Sequence, residues 1–354
     1  MVDRWLRSTI PSLAFFANPS ELRSRLRSGA GQEMRDMRRR KFIKGVLNHC
    51  YQRMKDLGVL FYTYSDHLVF FTQYCVMARK YGIRVLALCQ MPDHVHDSVI
   101  ADRKMDLYRF KQESLSWFAL RWNARAGVKG AVFECSFGSA PKIGDKSVRS
   151  NLIYVGNNPV ERKLVLKAED YRWNYLAYAK SDHPFSEKLV LREASWPLRK
   201  ALKEVKAQAN AAKPMNHALI DRLLAPLDQK EREQLVDFIV RTYNVIDYAE
   251  ASKYFDTYED MLIAMHAATG SEYDLNEVFI GKSDVPYNRM TSILLREGMV
   301  KDIHDILSLS VDEKFELFLY LRRKTDTPPE QIAAFLHMPL KSAGAVRSRK
   351  KTRR

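Results

Sequence analysis

Apolar residues recur every third or fourth position in DHLVFFTQYCVMARKYG, which predicts a helix ending at Gly82. KMDLYRFKQESLSWFALRWNARAG repeats that pattern and closes on a second glycine. Between them, IRVLALCQM is almost continuously apolar, as in a strand buried on both faces. VHDSVI resumes the strand after a break at Pro92, and KFIKGVLNHCYQR and AVFECSF predict strands on either flank. KSVRSNLIYVGNNP predicts a short helix that ends before Pro159, because proline disfavours helical backbone in the residue preceding it. The resulting order β, α, β-β, α, β, α implies one sheet covered by helices, an α+β class.

Beyond about residue 180 the strand signal fades. LREASWPLRKALKEVKAQANAA is helical and charged, like a connector, and HALIDRLLAPLDQKEREQLVDFIVRTYNV and TYEDMLIAMHAATG are amphipathic helices. Near the end, Thr327 is placed to cap a helix with Pro328 at its first position; QIAAFL, a turn at HMP and LKSAGAVRSRKK then outline a helix-turn-helix. The expected division is a basic extension over 1–40, an α+β domain over 41–180, a connector over 181–253 and a helical DNA-binding domain over 254–354.

Charge sharpens the picture. The 354 residues carry a formal net charge of +16, an excess that favours a polyanionic partner, nucleic acid before an anionic membrane surface. Arginine is dense in ELRSRLRSGAGQEMRDMRRRKFIK, a solvated helix or a phosphate-tracking arm. No apolar run reaches the roughly 18 residues of a membrane span, and the N-terminus lacks the h-region and cleavage site of a signal peptide. Cys50, Cys75, Cys89 and Cys135 are scattered with no CxxC, which excludes a zinc ribbon and fits reduced thiols in a cytoplasm.

The candidate chemistry lies in MPDHVHDSV. Residues two apart on a strand share a face, so His94 and His96 can present two imidazoles side by side to a divalent metal, or can be ordinary polar residues at a sheet end. Asp97 points to the opposite face of a regular strand and is expected to be a surface or hydrogen-bonded residue rather than a third ligand. If the helix carries through, Tyr154 and Asn158, four apart, share one face: Asn158 offers a carbonyl oxygen, and Tyr154 a phenol that can attack a polarised phosphate, although taken alone the tyrosine reads as an ordinary buried, hydrogen-bonded one.

Three blocks in order, KYGIRVLALCQMPDHVHDSVI, SLSWFALRWNARAGVKGAVFECSF and YVGNNPVERKLVLKAEDYRWNYLAY, carry a resemblance over about residues 41–178. The chain resembles single-tyrosine HUH transposases of the IS200/IS605 type, most closely their REP-associated relatives. The resemblance implies a ferredoxin-like or RRM-like antiparallel sheet and a helical C-terminal region. It implies His94, His96 and Asn158 as ligands of Mg²⁺ or Mn²⁺, and Tyr154 as the nucleophile that cleaves single-stranded DNA near a hairpin or repeat through a 5′-phosphotyrosine. It also implies a homodimer. Arg38, Arg39, Arg40 and Lys41, and in the C-terminal segment Lys341, Arg347, Arg349 and Lys350, are the expected DNA contacts, the latter four on flanking duplex. Asp93 stands where the family usually has Asn, Asp97 and Ser98 replace apolar residues, and Glu134 is open between a structural and a DNA-proximal role. The alternatives are a DNA-binding protein that keeps the fold without the chemistry, and a repressor using the C-terminal helices alone.

Overall fold

The computed structural model describes residues 41–134, 136–267 and 280–339. Its sheet is built from β1 (Leu47–Arg53), β2 (Arg84–Gln90), β3 (His94–Ile100) and β4 (Gly138–Lys142), in the spatial order β2-β3-β1-β4 with every neighbouring pair antiparallel. Helix α1 (Tyr64–Lys80) connects β1 to β2, and α2 (Lys104–Ala126) connects β3 to β4. This βαββαβ order is the ferredoxin-like arrangement; α3 (Asp145–Glu161) follows it. The class is therefore α+β, a four-stranded antiparallel sheet with packing helices and a helical C-terminal region.

Strand pairing sorts side chains onto two faces. Cys50, Leu88, Val95 and Val99 belong to the larger core, formed with α1 and α2. Leu47, Cys89 and Ile100 belong to a second core, formed with Val148, Leu152 and Val155 of α3. Each of those α3 side chains stabilises the docking by about 1.5–3 kcal/mol relative to leaving it exposed. Consequently α3 lies over the face that carries His94 and His96.

Two glycine stops form as expected. Gly82 follows α1 with φ 62°, and Gly127 closes α2 with φ 65°. Other expectations are corrected. The first strand begins only at Leu47. Among its described residues AVFECSF forms no strand: Phe133 makes an isolated bridge to Met54, and β4 is the next segment, GSAPK. β4 pairs on one side only, with β1, so Pro141 and Gly138 are tolerated at an edge where strand propensity matters little. Helix α3 runs through Pro159 to Glu161: the proline removes one N–H from the ladder, and the turn still closes with the Arg162 N–H on the Asn158 carbonyl at 3.0 Å.

The helical region comprises α4 (Trp196–Asn210), α5 (His217–Leu224), α6 (Gln229–Tyr243), α7 (Tyr248–Ser252), α8 (Tyr258–Ala267), α9 (Val285–Arg296), α10 (Asp305–Ser308), α11 (Val311–Lys324) and α12 (Pro329–Phe335). Described residues from 41 onward form one compact unit, with helices on both sides of 180 and 253 sharing its core. Asp66 is a tie point. It closes the α1 capping box with Thr63, and the same carboxylate meets the Nε2 atoms of His217 (2.9 Å) and His304 (2.9 Å). Helix α12 is capped at Pro328 with Pro329 at its first position, one residue later than expected, since Thr327 makes no side-chain cap. The second helix of the helix-turn-helix outline, with Lys341, Arg347, Arg349 and Lys350, lies outside the described residues, as do Arg38, Arg39 and Arg40; Lys41 is exposed.

Candidate active site

His94 and His96 sit on β3 with both side chains fully buried, and β1 sets Arg53 opposite His94 and Tyr51 opposite His96. Each ring is held through Nδ1. His94 Nδ1 meets Asp93 Oδ1 at 2.5 Å, and His96 Nδ1 lies 3.1 Å from His49 Nε2. A histidine anchored this way presents Nε2 to a ligand, with the partner fixing tautomer and ring orientation. Burial, reinforced by the nearby His94 and His49, drives the His96 pKa well below its ordinary value. Burial and the charges of Lys142 and Lys111 lower His49 to about 3. His96 and His49 are therefore neutral near pH 7, and neutral is the form in which an imidazole such as that of His96 binds a metal.

Helix α3 runs opposite to β3 across this face. Ser98 Oγ donates to Asn151 Oδ1 at 2.7 Å, the Tyr154 ring centroid is 5.4 Å from that of His96, and the Arg162 charge acts on Asp93. Asn158 lies between Tyr154 and Arg162 on the same helical face. Asn158 is 2% exposed, and its Oδ1 has no hydrogen-bond partner among the described residues. A buried amide oxygen left in that state carries a desolvation cost on the order of 1–3 kcal/mol, which a cation would relieve. Two imidazoles and an amide oxygen fit a divalent metal. One chain supplies Tyr154 and His96 together.

Several residues here escaped the sequence reading. His49 also packs edge-on to Tyr154, with centroids 5.7 Å apart. Arg53, 4% exposed, reaches Asp93 Oδ2 at 3.4 Å. Arg162 is clasped by Asp284 from the helical region, at 2.6 Å and 3.2 Å, and by the carbonyls of Gly281 and Ile280. Burial would raise the Asp93 carboxyl, but His94 and Arg53 outweigh it and hold it below the usual carboxylate value. A signal for the β1 residues existed: His49, Tyr51 and Arg53 alternate along one strand, so all three face the same way. Arg162 had its own, standing four residues after Asn158.

Asp97 faces the other side of the sheet, as alternation requires. It is not at the surface: it is 1% exposed, ion-paired with Lys111 of α2, and accepts from the Tyr74 hydroxyl at 2.7 Å. Glu134 is exposed, and its backbone N–H donates to the Arg53 carbonyl at 3.2 Å. Among the described residues no helix is long and apolar enough to cross a membrane.

No family model matches the chain, and no curated protein matches it. Among solved structures it is similar to one described as a REP-associated tyrosine transposase bound to a REP hairpin, at 18% identity and a TM-score of 0.35, over 40% of this chain and 84% of that one.

Proposed function

We propose that the chain is a metal-dependent single-stranded DNA endonuclease and strand transferase, a transposase that cuts near hairpin or repeat DNA. The observation that carries this reading is the meeting of Tyr154 with the His94–His96 pair on one side and the unpartnered Asn158 oxygen one helical turn away. His94, His96 and Asn158 would hold Mg²⁺ or Mn²⁺, whose chemistry is to neutralise charge on a scissile phosphate. Tyr154 Oη forms a bond to phosphorus as the bond from phosphorus to the 3′ oxygen breaks. The phenolic proton is lost, a proton is taken up on the 3′ oxygen, and the products are a 5′-phosphotyrosine and a free 3′-OH. Asp93 and His49 hold the two metal-binding rings in their working orientation, and Arg53 brings a guanidinium to the same edge. Reversal by another 3′-OH would complete strand transfer.

The burial of both histidines favours a second reading, a protein that binds hairpin DNA on this fold without cutting it. Purified chain is mixed with labelled hairpin and linear single strands, with and without Mn²⁺, and resolved on a denaturing gel. A Mn²⁺-dependent protein–DNA adduct, lost in Tyr154→Phe, is expected. Binding without any adduct selects the second reading, and an adduct undiminished in Tyr154→Phe removes Tyr154 from its role.

A further inference from the structure

Helices α4 and α6, with the loop before α4, enclose a cleft of about 510 Å³ outside the candidate active site. Its apolar lining includes Leu189, Leu202 and Phe238, and Leu191, also lining it, is 61% exposed. Its rim is cationic: Lys188, Arg199, Lys203, Lys206 and Arg241. The carboxylates there are already engaged. Asp182 pairs with Arg241 at 2.9 Å, and buried Asp237 accepts from the Tyr178 hydroxyl at 2.7 Å and the Phe185 backbone N–H at 3.0 Å. Lys188, Arg199, Lys203 and Lys206 form no ion pair with a described residue, and the Lys206 ammonium lies 5.7 Å from the centre of the Phe238 ring.

Arg199, Lys203 and Lys206 follow an i, i+4, i+7 spacing, so they line one edge of α4 over about 10 Å at 1.5 Å per residue. A row of cations above an apolar, aromatic floor is the arrangement that holds single-stranded nucleic acid, with phosphates on the rim and base faces on the floor. Duplex DNA presents a phosphate exterior with its bases stacked inside, and would leave Phe238 and the exposed Leu191 unused. We propose that this cleft is a binding track for a single-stranded stretch of DNA, separate from the cutting site. It rests on the reading of the chain as a DNA-acting protein for the identity of its ligand, and on its own side chains for its geometry.

The test uses the full chain carrying Tyr154→Phe, so that no strand is consumed, with fluorescence anisotropy of a labelled oligothymidylate and of a labelled duplex across salt concentrations. Replacing Arg199, Lys203 and Lys206 together by Ala should flatten the slope of log K against log salt for the single strand by about 2, at roughly 0.7 per lost phosphate contact. Phe238→Ala should weaken the single strand about tenfold and the duplex little. The control removes three exposed cations elsewhere, Lys301, Arg322 and Arg323, and should leave the slope nearly unchanged. Equal losses in the control and in the cleft variant, or equal losses for duplex and single strand, overturn the track. These readouts are independent of cutting: a chain that cuts DNA yet binds through other cations sinks the track alone, and a chain that never cuts but loses slope in the cleft variant sinks the nuclease reading alone.

Discussion

Lys111→Met should be among the most damaging conservative-volume changes in this protein. The Lys111 ammonium and the Asp97 carboxylate are both nearly inaccessible, and the Tyr74 hydroxyl is the other hydrogen-bond donor to that carboxylate. At contact distance and an effective dielectric near 20, their attraction is on the order of 5 kcal/mol, and it offsets the cost of taking both charges out of water. Removing one partner leaves the desolvation cost of the other without compensation, typically 3–5 kcal/mol. With an m-value near 3 kcal/mol/M, the urea midpoint should fall by about 1–2 M. Asp97→Asn combined with Lys111→Met removes the stranded charge, so the double variant should recover at least half of the loss despite carrying one more substitution. Urea melts followed by tryptophan fluorescence and circular dichroism measure both. A single-variant loss below about 1 kcal/mol, or a double variant no better than the single, refutes the argument. The location matters for function too, because Asp97 is the neighbour of His96, and a shifted β3 would move the histidine pair.

The Asp66 centre predicts a pH dependence. Burial disfavours the charged His304 ring, yet Asp66 and Asp302 outweigh it and raise its pKa to about 9, while the two histidines hold Asp66 well below the carboxylate range. A raised pKa gives stability that is complete below the unfolded value of 6.5 and lost as pH climbs through 9; the Asp66 contribution is lost only on acidification below about 4. Raising pH from 6.5 to 9.5 should therefore cost the native chain up to about 3 kcal/mol more than it costs His304→Gln, measured as the difference between their urea midpoints, and parallel pH profiles would refute it. At Gly156 of α3, a Cβ would collide with Met265 Sδ of α8. Gly156→Ala should cost about 1–3 kcal/mol through overpacking, and Met265→Ala in the same chain should recover part of it; a thermally neutral Gly156→Ala would show that α8 yields freely.

Pattern alone specifies the elements whose packing is periodic. The apolar repeats of α1 and α2, the glycine stops, the buried β2 and the alternation of β3 follow from side-chain period and backbone preference, so they are legible in one dimension. Alternation also sets Asp97 and the His94–His96 pair on opposite faces before any coordinates are known. Elements defined by their neighbours are not legible. GSAPK is a strand only because β1 offers an unpaired edge, and α3 passes Pro159, despite the lost N–H, because its flanking residues Val155 and Val160 pack in the second core.

The site divides along the same line. MPDHVHDSV announces the histidine pair, and the spacing of Tyr154 to Asn158 announces a shared helical face; both are local. That the two meet, that His49 buttresses His96, and that Arg162 is clasped by Asp284 depend on contacts spanning 47 to 122 residues of chain. A sequence read locally holds no information on which distant segment will supply a partner. Lys111 shows this most clearly: in sequence it is one basic residue on an amphipathic helix, and only folding α2 against the back of β3 makes it the counter-charge that lets Asp97 stay buried beside the histidines.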